Sequence, residues 1–121
     1  MRIGIISDIH GNMEALTASL GTLEREGVDT YYCLGDIVGY GAEPSECMAV
    51  VRERCSLVIA GNHDWAAIGK TSIEYFNTYA RIATLWTQEV LSDQEKAWIH
   101  TLPLVVDGEH CTLAHSTLYT P

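Results

Sequence analysis

Residues 2–12 read Arg2-Ile3-Gly4-Ile5-Ile6-Ser7-Asp8-Ile9-His10-Gly11-Asn12, an apolar run that stops abruptly at a hydroxyl, a carboxylate and an imidazole. The run over 2–6 is short, β-branched and apolar on both faces, the pattern of a strand buried inside a sheet. Asn12 then serves as an N-cap, and Met13, Leu16, Leu20 and Leu23 recur at helical spacing until Gly27 ends the helix. A second apolar run follows at Val28 to Leu34. Strand, amphipathic helix and strand within about 30 residues make a βαβ unit, whose strands run parallel and end side by side.

A second unit continues from it. Gly35, Gly39 and Gly41 mark a loop, and Pro44 opens a helix with Met48, Val51 and Cys55 on one face. Leu57 to Ala60 reads as the third strand. After the turn Gly61-Asn62-His63-Asp64, the residues Tyr79, Ile82, Ala83, Trp86 and Val90 mark a longer helix whose aromatic stripe reads as core. Ser92 and Glu95 form a capping box for the next helix. Leu104 to Val106 and His110 to Ala114 flank Asp107-Gly108, a hairpin signal. The pattern predicts one α/β domain over residues 1–121, with a mostly parallel sheet and a C-terminal hairpin.

Composition narrows the function classes. With 121 residues, 47% of them hydrophobic, the chain buries a core without staples, and no apolar run reaches the roughly 20 residues of a membrane span. Sixteen acidic against seven basic residues give a net charge of −9, which repels long nucleic acids. Ile3 to Ile6 is too short for a signal-peptide core and meets Asp8 at once, so a cytoplasmic location is expected. Cys33, Cys47, Cys55 and Cys111 have no C-x-x-C spacing and read as buried thiols in a reducing compartment.

Three strings sit where apolar runs stop: Ser7-Asp8-Ile9-His10, Leu34-Gly35-Asp36 and Gly61-Asn62-His63-Asp64. Parallel strands deliver their C-terminal ends to one crevice. Side chains two apart on an extended segment point the same way, so Asp8 and His10 can reach one ion. Asp36 arrives from the neighbouring strand, and one carboxylate can bridge two cations. Asn62 offers a carbonyl oxygen, His63 can protonate a leaving alkoxide, and Asp64 can orient that imidazole. His115 closes the last apolar run and can complete a second metal's shell. Mixed carboxylate, amide and imidazole donors suit two divalent ions of Mn, Fe, Ni or Zn better than Ca²⁺. Such a pair, about 3.5 to 4 Å apart, is the apparatus for cleaving a small phosphoester or nucleotide. His100 and His110 lack partner motifs and read as helix-end and surface residues.

Taken together, D-I-H (Asp8, His10), G-D-I-V-G-Y-G (Gly35 to Gly41) and G-N-H-D (Gly61 to Asp64) resemble the calcineurin-like metallophosphoesterases. The flanking S-D-I-H-G-N is similar to their small bacterial and archaeal phosphodiesterase-like branch. The resemblance implies an αββα sandwich, here a partial one, with a dinuclear centre at the strand ends. It makes Asp8 and His10 ligands of one metal, Asp36 the bridge, Asn62 and His115 ligands of the other, and His63 the general acid. The family's later G-H-T-H string, which adds a ligand to each metal, does not occur, so the expectation is an N-terminal portion of a longer domain with weak activity. A partial sandwich is further expected to expose apolar faces that a second copy of the chain could cover. A non-catalytic interaction scaffold on the same fold is the alternative reading.

Overall fold

Side-chain alternation along the central strand splits the interior into two cores. The structure, a computed structural model, describes residues 1–119; residues 120 and 121 of the expected domain lie outside the described residues. Strands β1 (Ile3–Ile6), β2 (Thr30–Cys33) and β3 (Cys55–Val58) form one parallel sheet in the order β1-β2-β3. Tyr31 and Cys33 of β2 join the larger core, which also takes Leu16 and Leu20 of α1 (Met13–Arg25) and Met48 and Val51 of α2 (Pro44–Arg54). Tyr32 points the other way, into a smaller core with Ile59 and Leu113. Leu113 belongs to the antiparallel hairpin of β4 (Val105–Asp107) and β5 (Thr112–Ala114), which covers that face. Each fully buried aliphatic side chain in these layers contributes about 1.5–3 kcal/mol.

The start and stop signals act as expected at α1, where Asn12 accepts a hydrogen bond from the Ala15 N–H and Gly27 takes the left-handed conformation at φ 73°. Ser92 and Glu95 cap α5 (Asp93–Thr101) reciprocally. Strand limits differ from the apolar runs. Cys55 does not continue the face of α2; its extended backbone begins β3 while its N–H closes the helix on the Val51 carbonyl. The hairpin loop spans 108–111, closed by the Gly108 N–H on the Cys111 carbonyl at 2.8 Å, so it is longer than a two-residue Asp-Gly turn.

The larger correction concerns α4 (Thr78–Val90). Its stripe of Tyr79, Ile82, Trp86 and Val90 is not core: these residues are 81%, 61%, 41% and 43% exposed. The helix instead buries Ala80, Thr84 and Thr87. Small residues let its backbone lie close to α3 (Asn62–Ala67), and each threonine hydroxyl donates to a carbonyl of its own helix, Ala80 and Ala83 respectively, so burial strands no polar group. Gln88 Nε2 then donates to the Ala66 carbonyl at 2.9 Å and ties the two helices together. No helix among the described residues is long and apolar enough to cross a membrane.

Candidate metal centre

Beyond their last paired residues, β1 and β2 stay zipped together. The Asp8 N–H donates to the Gly35 carbonyl at 2.9 Å, His10 to Asp36 at 2.9 Å, and Gly11 to Ile37 at 2.8 Å. Alternation along an extended segment predicts that Asp8 and His10 share a direction. They do converge, but by another route: both are left-handed, at φ 56° and 51°, and Asp36 is left-handed too at 55°. The segment coils where a strand would alternate, and Ile9 between them is buried.

Asp36 stands at the middle of the cluster, 2% exposed. Its Oδ2 lies 3.6 Å from His10 Nε2 and 3.3 Å from His115 Nε2, while Asp8 Oδ1 is 3.5 Å from the same His10 nitrogen. Two overlapping sets of donors result, His10 with Asp36 and His63, and Asp8 with Asp36 and His115, each with its ligand atoms within 4.8 Å of one another. The shared member of both is the Asp36 carboxylate.

The far side of each imidazole fixes what the near side offers. His10 Nδ1 lies 3.0 Å from the Val38 carbonyl and His115 Nδ1 2.7 Å from the Leu34 carbonyl. A carbonyl can only accept, so each Nδ1 carries the proton and donates. In the neutral ring Nε2 is then a lone pair, and it faces carboxylate oxygens that are also acceptors. Acceptors at 3.3–3.6 Å repel unless a cation lies between them. A backbone carbonyl fixing the tautomer behind an imidazole is the usual support of a metal-ligating histidine. The donor set therefore fits divalent ions of the borderline kind.

Burial raises the Asp36 carboxyl above its ordinary value, against the pull of the His63 N–H and of the three histidines around it. Asp8 lies below the usual range: burial works upward, but the Ser7 hydroxyl, His115 and His10 outweigh it.

Known proteins share this architecture. The family model described as calcineurin-like phosphoesterase matches residues 1–118. The chain belongs to that family. A metallophosphoesterase crystal structure from Sphaerobacter thermophilus superposes with a TM-score of 0.77 at 42% identity, covering 93% of this chain and 45% of that one. An uncharacterised protein of Methanocaldococcus jannaschii is 46% identical over 105 residues, 87% of this chain and 43% of that protein. A hypothetical protein from Pyrococcus horikoshii shares the fold, with a TM-score of 0.72 at 24% identity over 86% of this chain and 48% of that one. The chain thus spans less than half the length of each of these relatives.

Within this phosphoesterase fold the other expected site residues take different places. Asn62 opens α3 and lines a cavity with His115 and Ser116. His63 presents its backbone N–H to Asp36 Oδ1 at 2.9 Å, and its Nδ1 is buried with no hydrogen-bond partner among the described residues. Burial holds its pKa below the ordinary histidine value, with Asp36 pulling the other way. Asp64 does not orient that ring. Its Oδ1 accepts the N–H groups of Ile37 and Val38, at 2.9 and 3.2 Å, and its Oδ2 those of Asp36 and Gly61, at 2.8 and 2.9 Å. A fully buried carboxylate thereby fastens the loop after β2 to the start of α3. Burial pushes this carboxyl up to about 6, against the hydrogen bonds from Gly61, Val38 and Asp36.

Two aromatic residues beside the cluster, Tyr40 and Phe76, have no site role assigned by the sequence reading. Tyr40, left-handed at φ 61°, places its ring 5.1 Å from the rings of both His10 and His63, and Phe76 packs 4.7 Å from His63. The one signal for Tyr40 is a large aromatic set between Gly39 and Gly41. His100 and His110 stay outside the cluster: His100 is exposed in the last turn of α5, and His110 Nε2 lies 3.9 Å from Glu109 Oε2.

Proposed function

We propose that this domain hydrolyses phosphoesters at a dinuclear centre of divalent Mn, Fe, Ni or Zn. Asp8, His10, Asp36, Asn62 and His115 would hold the ions, with the Asp36 carboxylate common to both. When bound, such ions polarise phosphoryl oxygens and make a nucleophile of water at neutral pH. The observation that carries the reading is the Asp36 Oδ2 position, 3.6 Å from one carbonyl-tethered imidazole and 3.3 Å from another. A single acid shared by two such histidines has no purpose in a plain strand-end turn.

His63 is the proton source for the departing oxygen. Its N–H contact to Asp36 ties it to the centre, and its imidazole, unlike those of His10 and His115, is not tethered to a backbone carbonyl. The adjacent rings of Tyr40 and Phe76 hold it in place and keep water from one side of it.

The test is hydrolysis of bis(p-nitrophenyl) phosphate with added Mn²⁺, comparing wild type with Asp36→Asn and His63→Gln. Turnover that collapses in Asp36→Asn and falls about 10²–10⁴-fold in His63→Gln supports the assignment. Equal rates in wild type and Asp36→Asn would sink it.

A further inference from the structure

On the reading that a phosphoryl group binds beside Asp8, His10 and Asp36, the structure also offers a place for what that group is attached to. A groove of about 440 Å³ runs between Tyr40, Gly41 and Ala42 on one side and Tyr79, Ile82 and Trp86 of α4 on the other. Among the described residues, no charged side chain lines it. Tyr40, Gly41 and Ala42 also line the cleft that contains Asp8, His10 and Asn12, so one three-residue wall separates groove from metal centre.

We propose that this groove is the subsite for a planar aromatic group carried on the phosphoester, a nucleobase or an aryl ring. Three observations bear on the occupant. First, Tyr40 belongs to both places: its ring touches those of His10 and His63, and its hydroxyl accepts from Asn77 Nδ2, the N-cap of α4, at 3.4 Å. A ligand leaving the phosphate site along Tyr40 arrives at Tyr79. Second, α4 turns its small and hydroxylic face inward and keeps two large aromatics and an isoleucine in water, an arrangement that stability alone does not favour. Third, Tyr79 and Trp86 are seven residues apart, about 10 Å along the helix, a span that accommodates a nucleoside-sized group. Aromatic walls recognise a π-face without selecting one base, so the site takes a class of rings.

Binding to the full chain in the presence of Mn²⁺, followed by calorimetry, separates this from the reading it rests on. The probes are phenyl phosphate against methyl phosphate, and adenosine 5′-monophosphate against ribose 5-phosphate. Wild type should prefer the ring-bearing member of at least one pair by about tenfold. Which pair shows it tells aryl from nucleobase. In a Tyr79→Ser, Ile82→Ser variant, folded by circular dichroism, the preference should fall to near one while methyl phosphate affinity holds. Ring preference that is absent in wild type, or unchanged in the variant, overturns the subsite. So does a variant that alters only a monomer–dimer equilibrium, which would make a second copy the occupant. Methyl phosphate affinity that ignores Asp36→Asn, with ring preference intact, instead defeats the metal-centre reading and leaves the groove standing.

Discussion

Replacing Gly35 by alanine tests how the site is assembled, because the ends of β2 and β3 touch through this residue. Gly35 has φ 95°, and a Cβ there would lie 2.3 Å from the Gly61 nitrogen and 2.7 Å from the Ala60 carbonyl carbon. Both obstacles are backbone. Relieving the overlap requires the two segments to part by about 1 Å, since ordinary contact begins at 3.4 Å. The strained φ costs about 1–3 kcal/mol and the overpacking a further 1–3 kcal/mol, so Gly35→Ala should lose about 2–6 kcal/mol. Gly69→Ala is the control, because Gly69 has φ 77° but nothing within 4 Å of a Cβ. It should lose only the conformational part, about 1–3 kcal/mol. Urea unfolding followed by far-ultraviolet circular dichroism measures both. The same displacement moves Asp36, next in sequence, away from His115, so Mn²⁺ affinity by calorimetry should drop in Gly35→Ala and not in Gly69→Ala. Equal losses for the two variants, with unchanged metal binding, would refute the idea that close strand approach builds the centre.

Asp64→Ala orphans four backbone N–H groups, at about 1–3 kcal/mol each, and should destabilise the chain by about 4 kcal/mol or more; Asp64→Asn, which keeps one acceptor oxygen, should fall between it and wild type in thermal melts. Mn²⁺ at a hundred times its dissociation constant should add about 2.7 kcal/mol to unfolding, reversed by chelator and absent in Asp36→Asn. His63 has a folded-state pKa below its unfolded value, so it binds fewer protons when folded; its contribution is complete above pH 6.5 and is lost as pH falls from 6.5 through the lower folded value. The metal-free stability of wild type should therefore decline over that window more steeply than that of His63→Phe, measured by urea midpoints; parallel profiles would contradict it. Asp8→Gly relieves a left-handed φ of 56° at an exposed side chain, so the metal-free chain should hold or gain about 0.5–1 kcal/mol while Mn²⁺ affinity falls.

How far each feature is legible in the sequence follows from the kind of physics it depends on. Strand ends are readable because a carboxylate or amide that breaks an apolar run, as Asp8, Asp36 and Asn62 do, cannot continue a strand buried on both faces, and parallel connection brings those breaks together. The interior orientation of α4 is not readable in this way. Periodicity finds the stripe of Tyr79, Ile82 and Trp86, yet it cannot say that Thr84 and Thr87 satisfy their hydroxyls within the helix and so become the cheaper face to bury. Asp64 misleads for a related reason. Its neighbour in sequence is an imidazole, but its partners are backbone N–H groups from a loop some 28 residues away, and backbone donors leave no mark on residue type. Tyr40 stands in the Gly35-to-Gly41 string, but its residue type gives it no role there; the contact of its ring with those of His10 and His63 does.

Backbone strain supplies an argument for the site that does not depend on resemblance. Among the described residues, the non-glycine positions with positive φ are Asp8, His10, Asp36 and Tyr40. All four lie in the loops that leave β1 and β2. Each such conformation costs on the order of 1–3 kcal/mol and survives only where the surroundings over-determine it, as the ladder from Asp8, His10 and Gly11 to Gly35, Asp36 and Ile37 does here. A loop required only to connect strand to helix would carry glycine or asparagine at these positions, as Gly11, Gly35 and Gly39 show is available in the same segments. Aspartate tolerates the left-handed region; histidine and tyrosine do so less readily. Their presence means that the carboxylate, imidazole and phenol side chains themselves are what the loops are shaped to hold.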